Sequence, residues 1–493
     1  MRTIWVLGDQ LNRSIGALAD ADPHADRVLL VEAESAIGSR RFHRQRLHLV
    51  LASMRRFAGE LEAAGFEVDH RRAPTFTEAF RAHVDEHQPD AVVATEPNSR
   101  AHDRLLRRLG IDLVRSNQFL CHRDDFAAWA GNRERLRMED FYRWQRTRLG
   151  YLMDGDEPTG GRWNLDADNR EPPPDEDIWP TPPRSRLDDL DRAVLGDLPE
   201  GLPGADPVGW WATSRRAALA RLNHFVDEVL AGFGPHEDAM TTKSWHLAHS
   251  LLSPALNLGL LLPDEVCDRV EEAFREGRVP LNSAEGFIRQ VIGWREFVWG
   301  IHWLWPDQWD ANELEADRPL PPAWADGVPT DLACLAHTLE GLDERGWIHH
   351  IQRLMVLSNL ATLLGLDPAG VRDWMRERYV DGADWVMGPN VLGMGLYADG
   401  GRMSTKPYVS GGAYLNRMSD YCGDCRFDPR QRTGERACPF TTLYWDFLDR
   451  HRDRFAGNHR MARQYATLDR LADLDEVRSR ADEVIGAHLA GRL

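Results

Sequence analysis

The chain has 493 residues, six cysteines and a formal net charge of -18 at pH 7. This length predicts two or three domains, each with its own hydrophobic core. The acidic balance excludes a general nucleic-acid coat protein, because sequence-independent binding needs cationic groups that displace counterions from phosphates; a local basic patch stays open. Six cysteines are too few for a secreted disulfide scaffold, and no apolar run approaches the roughly 18 residues of a membrane-spanning helix. Because no signal-peptide pattern follows Met1, we expect a cytoplasmic protein.

The first 125 residues predict a doubly wound α/β domain. Short apolar runs predict buried parallel strands at residues 3–8, 27–32, 66–70, 91–95 and 111–115. Helical patterns separate them, notably at 40–64. Ligands of such sheets bind beyond the carboxyl ends of the strands, which here carry Gly8, Asp9, Gln10, Glu32 and Glu34. These residues predict either a site for a polar small molecule or ordinary solvated loops. No G-x-G-x-x-G fingerprint is present, so a dinucleotide site is not expected.

The remaining chain predicts a connector and a helical domain. Residues 126–207 are rich in arginine at first and then in proline, aspartate and glycine, which is typical of a long connector wrapped between two domains. From residue 208 to 493 the pattern is that of an all-α domain. Its helices are predicted at 214–232, 263–277, 283–303, 331–341, 346–364, 369–379, 441–455 and 458–471.

Four of the six cysteines form a pattern suited to a metal centre. Cys422 and Cys425 are two residues apart, Cys438 follows at C-x12-C spacing, and Cys334 lies far upstream. Metal and iron-sulfur sites need three or four such ligands. The alternatives are a zinc site, or a redox C-x-x-C pair beside two ordinary buried cysteines. Cys121 and Cys267 lie in apolar surroundings and are predicted to be core residues.

Four segments of the helical domain carry polar groups in suggestive patterns. The turn Ser250–Ser253 precedes a helix-starting proline and suits a diphosphate, although this signal is weak by itself. Gln290, Trp294 and Arg295 share one predicted helix, which equally suits an interhelical ion pair with packed aromatic rings. The final set comprises the histidine pair His349 and His350, Arg353 one turn later, Asp384 as a carboxylate able to hold Arg353, and the amide of Asn390.

In this order the four segments resemble the cryptochrome and photolyase superfamily, where they surround a U-shaped FAD. The match covers nearly the whole chain. The opening Gly8-Asp-Gln-Leu, the stretch Tyr414–Cys422 and the four cysteines narrow the resemblance further. The chain is similar to the iron-sulfur bacterial cryptochromes and prokaryotic (6-4) photolyases.

The resemblance implies the cofactors and their residues. It implies a [4Fe-4S] cluster on Cys334, Cys422, Cys425 and Cys438. It implies FAD bound by Ser250, Leu251, Leu252, Ser253, Gln290, Trp294, Arg295, Arg353, Asp384 and Asn390, with an Arg353–Asp384 ion pair beside the isoalloxazine. It also implies a 6,7-dimethyl-8-ribityllumazine antenna near Gly8, Asp9, Gln10, Glu32 and Glu34.

The resemblance also implies electron-transfer, catalytic and DNA-binding residues. Trp374 matches the tryptophan nearest the flavin, with Trp324 and Trp385 as further candidates. Met375 stands where the family pattern has tyrosine, so the outer electron path departs from that pattern. His349 and His350 match the lesion-side histidine pair, with His350 as the favoured proton donor. A cationic and aromatic rim for DNA is expected at Arg402, Lys406, Tyr408, Tyr414 and Arg417.

The implied function is light-driven repair of (6-4) photoproducts in UV-damaged DNA. Excited reduced FAD would transfer an electron to a flipped-out lesion, and flipping costs little where damage already impairs stacking. Two alternatives remain: a cryptochrome-like blue-light or redox sensor with the same cofactors, and a cyclobutane dimer photolyase. Both histidines and the basic rim favour repair. We expect a monomer without membrane contact.

Overall fold

The structure is a computed structural model that describes residues 1–493. Its N-terminal sheet contains β1 (Arg2–Val6), β2 (Asp26–Ala33), β3 (Glu67–Ala73), β4 (Val92–Thr95) and β5 (Asp112–Val114). Every neighbouring pair is parallel, in the order β3-β2-β1-β4-β5. The order reverses at β1, as in a doubly wound sheet. The predicted parallel sheet is therefore confirmed.

Helices cover both faces of this sheet: α1 (Glu34–Ile37), α2 (Arg44–Ala63), α3 (Phe76–His87) and α4 (Arg100–Arg108). Successive side chains along β1 enter two different cores. Ile4 and Val6 belong to the same core as residues of α2, whereas Trp5 and Leu7 pack in the core that includes α3 and α4. A strand buried on both faces is apolar throughout, which is why the sequence shows continuous apolar runs here.

The rest of the chain is mostly helical, as predicted. A two-stranded ribbon of β6 (Met153–Asp154) and β7 (Glu157–Pro158) interrupts it. The helices are α5 (Arg123–Ala130), α6 (Met138–Leu149), α7 (Asp189–Asp197), α8 (Arg215–His224), α9 (Phe233–His236), α10 (Ser253–Asn257), α11 (Pro263–Arg275), α12 (Leu281–Ile288), α13 (Glu296–Leu304), α14 (Pro322–Ala325), α15 (Ala333–Arg345), α16 (Asn359–Leu364), α17 (Pro368–Arg378), α18 (Asp384–Met387), α19 (Gly412–Met418), α20 (Pro439–Arg450), α21 (Arg452–Phe455), α22 (Ala462–Leu468) and α23 (Leu474–Leu489). None of the helices is both long and apolar enough to span a membrane.

The segment between the sheet and the helical part of the chain packs against both. At its start, α5 and α6 lie against the helical part, with α5 on α13 and Met138 and Tyr142 of α6 at the backbone of Gly293. Further on, α7 returns to α2, where Arg56 donates to Asp188 and Asp191. The expected boundaries after residues 125 and 207 stay predictions.

A close backbone approach joins the edge of the sheet to α10. Leu11 donates its N–H to the carbonyl of Leu258 at 2.8 Å. The next residue, Gly259, has φ +76°, and a Cβ there would lie 2.7 Å from Ile15 Cδ1. Only glycine adopts this conformation at such a short distance without strain. This contact places the carboxyl edge of the sheet directly beside the C-terminal end of α10.

Glu32 of β2 anchors a buried ion pair beside the sheet. Arg55 Nε donates to Oε1 at 2.8 Å and Nη2 to Oε2 at 2.9 Å, and His70 Nε2 lies 3.1 Å from Oε1. Burial opposes ionisation, but the hydrogen bonds from Arg55 and His70 outweigh it and lower the pKa of Glu32 to about 2. The lowered pKa means that the pair stabilises the fold above pH 4.5, and that this contribution is lost as the pH falls toward 2.

We expect Glu32→Gln to lower the free energy of unfolding by about 2 kcal/mol at pH 7, because Arg55 and His70 lose a buried acceptor. Urea denaturation across pH measures this, and the difference from wild type should shrink as the pH falls from 4.5 toward 2. Glu34→Gln is the control, since Glu34 is exposed and 3.3 Å from Arg72; it should change stability by less than about 0.5 kcal/mol. A pH-independent difference would contradict the assignment.

Candidate functional site

Arg353 and Asp381 form the ion pair at the centre of the site. Arg353 Nη1 donates to Asp381 Oδ1 at 3.0 Å and Nη2 to Oδ2 at 3.1 Å. Such two-pronged pairs hold both side chains in one orientation. The guanidinium also lies 4.0 Å from the centre of the Tyr379 ring. Asp381 is buried, so the pair is held rigidly inside the helical part.

The predicted Arg353–Asp384 ion pair is wrong. Asp384 is the first residue of α18 and pairs with Arg376 of the preceding helix α17 instead. Asp381 lies in the short connection between these helices, and this connection brings its carboxylate to Arg353. The two carboxylates are three residues apart, and the sequence offers no rule that chooses between them.

A hydrogen-bond network extends this pair to α10 and to Arg295. Ser253 Oγ donates to Asp381 Oδ2 at 2.7 Å, and Asn257 Nδ2 donates to the Asp381 carbonyl at 3.1 Å. Arg295 Nη1 in turn donates to Asn257 Oδ1 at 2.8 Å. The structure thereby brings together three predicted residues, Ser253, Arg295 and Arg353.

Aromatic rings enclose Arg295. Its guanidinium lies 4.5 Å from the centre of the Phe119 ring and 4.7 Å from that of Trp385. Burial lowers the pKa of Arg295 to about 10, which leaves it charged at neutral pH. Trp385 therefore packs against Arg295, and its ring is 6.1 Å from that of Trp299.

The turn before α10 offers free donors. Leu247 and Leu251 adopt left-handed conformations, with φ +43° and +57°, which leucine rarely takes. The N–H groups of Ser250, Leu251 and Ser253 have no acceptor within the chain, whereas Leu252 donates its N–H to Ser250 Oγ at 3.3 Å. A strained turn with several free N–H groups is typical of anion-binding loops. This donor set fits a diphosphate.

Three irregular helical stretches carry the remaining residues expected around the flavin. Residues 289–295, 352–358 and 388–395 are π-helical, and they contain Gln290, Trp294 and Arg295, then Arg353, then Asn390. A π-turn widens the helix by one residue and turns side chains out of the regular register, and such turns concentrate at functional sites. The helical pattern of the sequence did not reveal them.

A cluster of three histidines lies next to Arg353. The rings of His249 and His349 stack at 4.7 Å, and His350 meets His249 edge-on at 5.4 Å. Burial holds the pKa of His249 and of His349 well below the usual range, so both rings are neutral. His349 Nδ1 and Nε2 and His249 Nε2 have no hydrogen-bond partner. A bound ligand or an ordered water would satisfy these buried atoms. His249 was missed because a single histidine in a loop carries no pattern.

His350 differs from the other two because it reaches solvent. Its side chain is 45% exposed, and Nε2 lies 3.6 Å from Asp238 Oδ1. Next to Asp238, the carboxyl of Glu237 is buried and accepts from Gln290 Nε2 at 2.7 Å. Burial raises the pKa of Glu237 to about 7. Neither acid was predicted from the sequence.

Part of the expected DNA-binding rim adjoins His350. Burial raises the pKa of Tyr408 and of Tyr414, and the nearby Asp238 carboxylate contributes in both cases. Asp238 is therefore near both tyrosines as well as near His350. Arg417 stands 5.5 Å from the centre of the Tyr414 ring.

The other two rim residues are placed differently. Arg402 pairs with Asp307 at 2.6 Å and lies 4.4 Å from the centre of the Trp305 ring. Its charge is thus already compensated by a neighbouring carboxylate. Lys406 is half-buried and makes no ion pair. Tyr408 and Tyr414 are thus near Asp238 and Arg417 lies beside Tyr414, whereas Arg402 and Lys406 have no contact with this group.

The five residues expected around an antenna fall into two groups. Asp9 is enclosed beside β1: Asn98 Nδ2 donates to its Oδ2 at 3.1 Å, and Gln118 Nε2 donates to its carbonyl at 2.7 Å. Burial raises the pKa of Asp9. Gly8 and Gln10 flank Asp9 directly. Glu32 instead belongs to the ion pair described above, and Glu34 is exposed.

Two of the predicted electron-transfer tryptophans touch. Trp374 Nε1 donates to the Trp324 carbonyl at 2.8 Å, and the ring centres are 5.0 Å apart at 45°. Both rings are buried. The contact makes them suitable for electron transfer, although the roles stay predictions.

The four cysteines converge on one place. Proximity of Cys438, Cys422 and Cys425 adds to burial in raising the pKa of Cys334, so the thiol groups lie close together. Cys334 is in the first turn of α15, and Cys438 precedes α20 directly. The N–H groups of the first turn of α20 point at the Cys438 sulfur. Helix N-termini stabilise negative charge, so this donor set fits a thiolate-ligated centre.

Comparisons with known proteins agree with this architecture. The family model for deoxyribodipyrimidine photo-lyase-related proteins matches residues 4–203. A (6-4) photolyase from Agrobacterium fabrum is 40% identical over 487 residues, which are 95% of this chain and 96% of that protein. A class III photolyase structure from Agrobacterium tumefaciens has a TM-score of 0.59 at 19% identity, and the match covers 99% of this chain and 97% of that photolyase. A cryptochrome structure from Synechocystis has a TM-score of 0.54 at 16% identity, and the match covers 85% of this chain and 88% of that cryptochrome.

A parallel α/β domain beside a large helical domain is the fold shared with these photolyase and cryptochrome structures. Within that class, the full-length match shows that the chain belongs to the photolyase family. The family and the fold expected from the sequence motifs are thereby confirmed.

The new partner of Arg353 can be tested by comparing two carboxylates. Asp381→Asn leaves Arg353 unpaired and removes the acceptor of Ser253, so it should lower the free energy of unfolding by about 3 kcal/mol. Asp384→Asn is the control and should cost about 1 kcal/mol, because its pair with Arg376 is more exposed. Urea unfolding at pH 7 compares them. A larger loss for Asp384→Asn would favour the pairing first expected from the sequence.

Proposed function

We propose that the protein repairs (6-4) photoproducts in UV-damaged DNA, using light. The observation that carries this proposal is the histidine cluster: His350 reaches solvent beside Asp238, and two buried neutral histidines, His249 and His349, lie next to it. An extruded base entering there would meet one imidazole that can exchange protons with water and two that stay uncharged. The named activity of the 40% identical relative supports the same function.

FAD is the cofactor for which the helical part is suited. The free N–H groups of Ser250, Leu251 and Ser253 would bind its diphosphate, and Leu252, Gln290, Trp294, Arg295, Arg353 and Asn390 would border it. When bound and reduced, FAD supplies the electron that light transfers to the lesion. Asp381 holds Arg353 in place for this contact, and Asp384 acts only through the neighbouring Arg376.

The chain itself handles the proton. Hydroxyl transfer between the two pyrimidine rings needs an acid, and His350 is the only member of the cluster whose exposure lets it carry charge at little cost. His349 is buried with a strongly lowered pKa, so it would shape the pocket instead of donating. Asp238, 3.6 Å from His350 Nε2, would orient the ring.

DNA would be held by a local patch on an acidic protein. Tyr408 and Tyr414 offer aromatic faces for unstacked bases, and Arg417 adds a cation beside them. We propose that Lys406 and Arg402 contact the phosphate backbone farther from the lesion. Few cationic groups face the DNA, so we expect binding to depend on the lesion more than on charge.

A [4Fe-4S] cluster is the proposed occupant of the cysteine site. Cys422, Cys425 and Cys438 lie close to Cys334, and the helix N-terminus at Cys438 would stabilise a thiolate ligand. A zinc ion on the same four thiolates is the alternative.

The N-terminal domain would hold a lumazine antenna beside Gly8, Asp9 and Gln10. These residues lie at the carboxyl edge of β1, next to the contact with α10. That position would put an absorbing ligand close to the helical part. Glu32 would take no part in binding, since Arg55 and His70 occupy its carboxylate.

Repair should be measured with two lesion types side by side. Purified photoreduced protein should restore oligonucleotides with a (6-4) photoproduct under blue light, and those with a cyclobutane dimer should remain unrepaired. We expect His350→Ala to lower the repair rate at least about 100-fold, because the proton donor is lost. Binding of the lesion in the dark should change by less than about tenfold.

The same experiment separates the alternatives. A cyclobutane dimer photolyase would restore the other substrate and would tolerate His350→Ala, since that chemistry needs no such acid. A light or redox sensor would restore neither lesion even with the flavin fully reduced. Either result would refute the proposed function.

Iron and sulfide analysis should decide the nature of the cysteine site. Wild type should contain about four iron and four sulfide per chain. Cys425→Ser should lose most of both, whereas Cys121→Ala, a change at a core cysteine outside the group, should retain them. One equivalent of zinc without iron in wild type would refute the cluster.

A further inference from the structure

Glu237 is a buried carboxyl for which no role has been assigned above. It lies between Gln290, on the first π-helical stretch, and His350 with its neighbour Asp238. Gln290 Nε2 donates to Oε1 at 2.7 Å, and Asn169 Nδ2 donates to Oε2 at 3.3 Å. Both oxygens of Glu237 therefore act as acceptors.

This contact decides which way the Gln290 amide faces. A glutamine amide has a donating NH2 end and an accepting carbonyl end. Because Glu237 accepts from Nε2, the Oε1 of Gln290 is turned away from it and has no partner in the protein. The reversed amide would place two acceptors against each other, which costs about 1–3 kcal/mol for buried groups.

We propose that Glu237 is a positioning residue that presents the Gln290 carbonyl oxygen to the extruded base, so that the pocket selects a pyrimidine edge with an N–H donor. The inference rests on the proposed function and deepens it by naming the edge that is recognised. A base with this donor would pair with the Gln290 oxygen, whereas a base without it would cover the oxygen and leave it unpaired.

The surroundings of Glu237 favour orientation over simple charge pairing. Arg289 is the nearest cation, 3.7 Å from Oε1, and it is shared with Asp166 and Glu285. Burial raises the pKa of Glu237 to about 7, while Arg289 and His350 oppose this rise and Asp238 and Asp166 add to it. Below that pH the protonated carboxyl can donate to the Gln290 carbonyl, and the preference for one amide orientation is lost.

The test is binding in the dark, which needs no repair. The holoprotein is titrated with an oligonucleotide containing one (6-4) photoproduct and with its undamaged counterpart, between pH 6 and 8.5. The measured quantity is the affinity for the damaged oligonucleotide divided by that for the undamaged one. We expect Glu237→Gln to lower this ratio about tenfold at pH 8. The new glutamine has only one accepting oxygen, so it can accept from Gln290 or from Asn169 but not from both. In wild type this ratio should decrease as the pH is lowered below 7, and in the variant it should not change with pH.

A double-mutant cycle with Gln290→Leu separates positioning from a general effect. In that background Glu237→Gln should cause no further loss, since no amide remains to be oriented. Glu285→Gln is the matched control: it removes another buried carboxyl beside Arg289 and should leave the ratio unchanged. Thermal unfolding and flavin absorbance verify that each variant is folded and loaded.

The outcomes are distinguishable. If wild type prefers and repairs the lesion but Glu237→Gln keeps the full affinity ratio, or if the two changes are additive, the positioning role is refuted and the proposed function stands. If wild type shows no lesion preference, both fail.

Discussion

The ion pair between Arg353 and Asp381 is the constraint on which the site depends. It joins a π-helical stretch to the connection between α17 and α18, and Ser253 and Asn257, the first and last residues of α10, extend it to that helix. Three segments of the chain are thereby held in one arrangement. A two-pronged pair with a buried carboxylate does this well, because any shift of one segment would leave a charge unpaired.

The histidine cluster shows how burial assigns different tasks to similar side chains. His349 and His350 are neighbours in the chain, but the first is enclosed and neutral while the second reaches water beside Asp238. An imidazole without a polar partner cannot hold a proton in the interior, because the charge would lose its hydration. In the proposed reaction, proton donation would therefore be confined to the exposed ring, and the enclosed rings would shape the pocket.

The cysteine site supports the surface that would bind DNA. A Cβ on Gly412 would lie 2.9 Å from Cys438 Sγ, so α19 starts directly against the sulfur atoms. The same helix carries Tyr414 and Arg417. A centre that ties Cys334 to Cys438 would hold this helix against α15. Its part would thus be structural, and the bond-breaking chemistry would belong to the flavin and to His350.

The sequence by itself determined the parallel sheet, the helical second half, the family and the set of four cysteines. Apolar runs and helical periodicity depend on local burial, and the motifs keep their order along the chain. Only the tertiary structure decided that Arg353 pairs with Asp381 and not with Asp384, because two carboxylates three residues apart differ only in where a connection between helices turns them. The same holds for His249 and Glu237: neither belongs to a pattern, and each becomes visible only when distant segments meet.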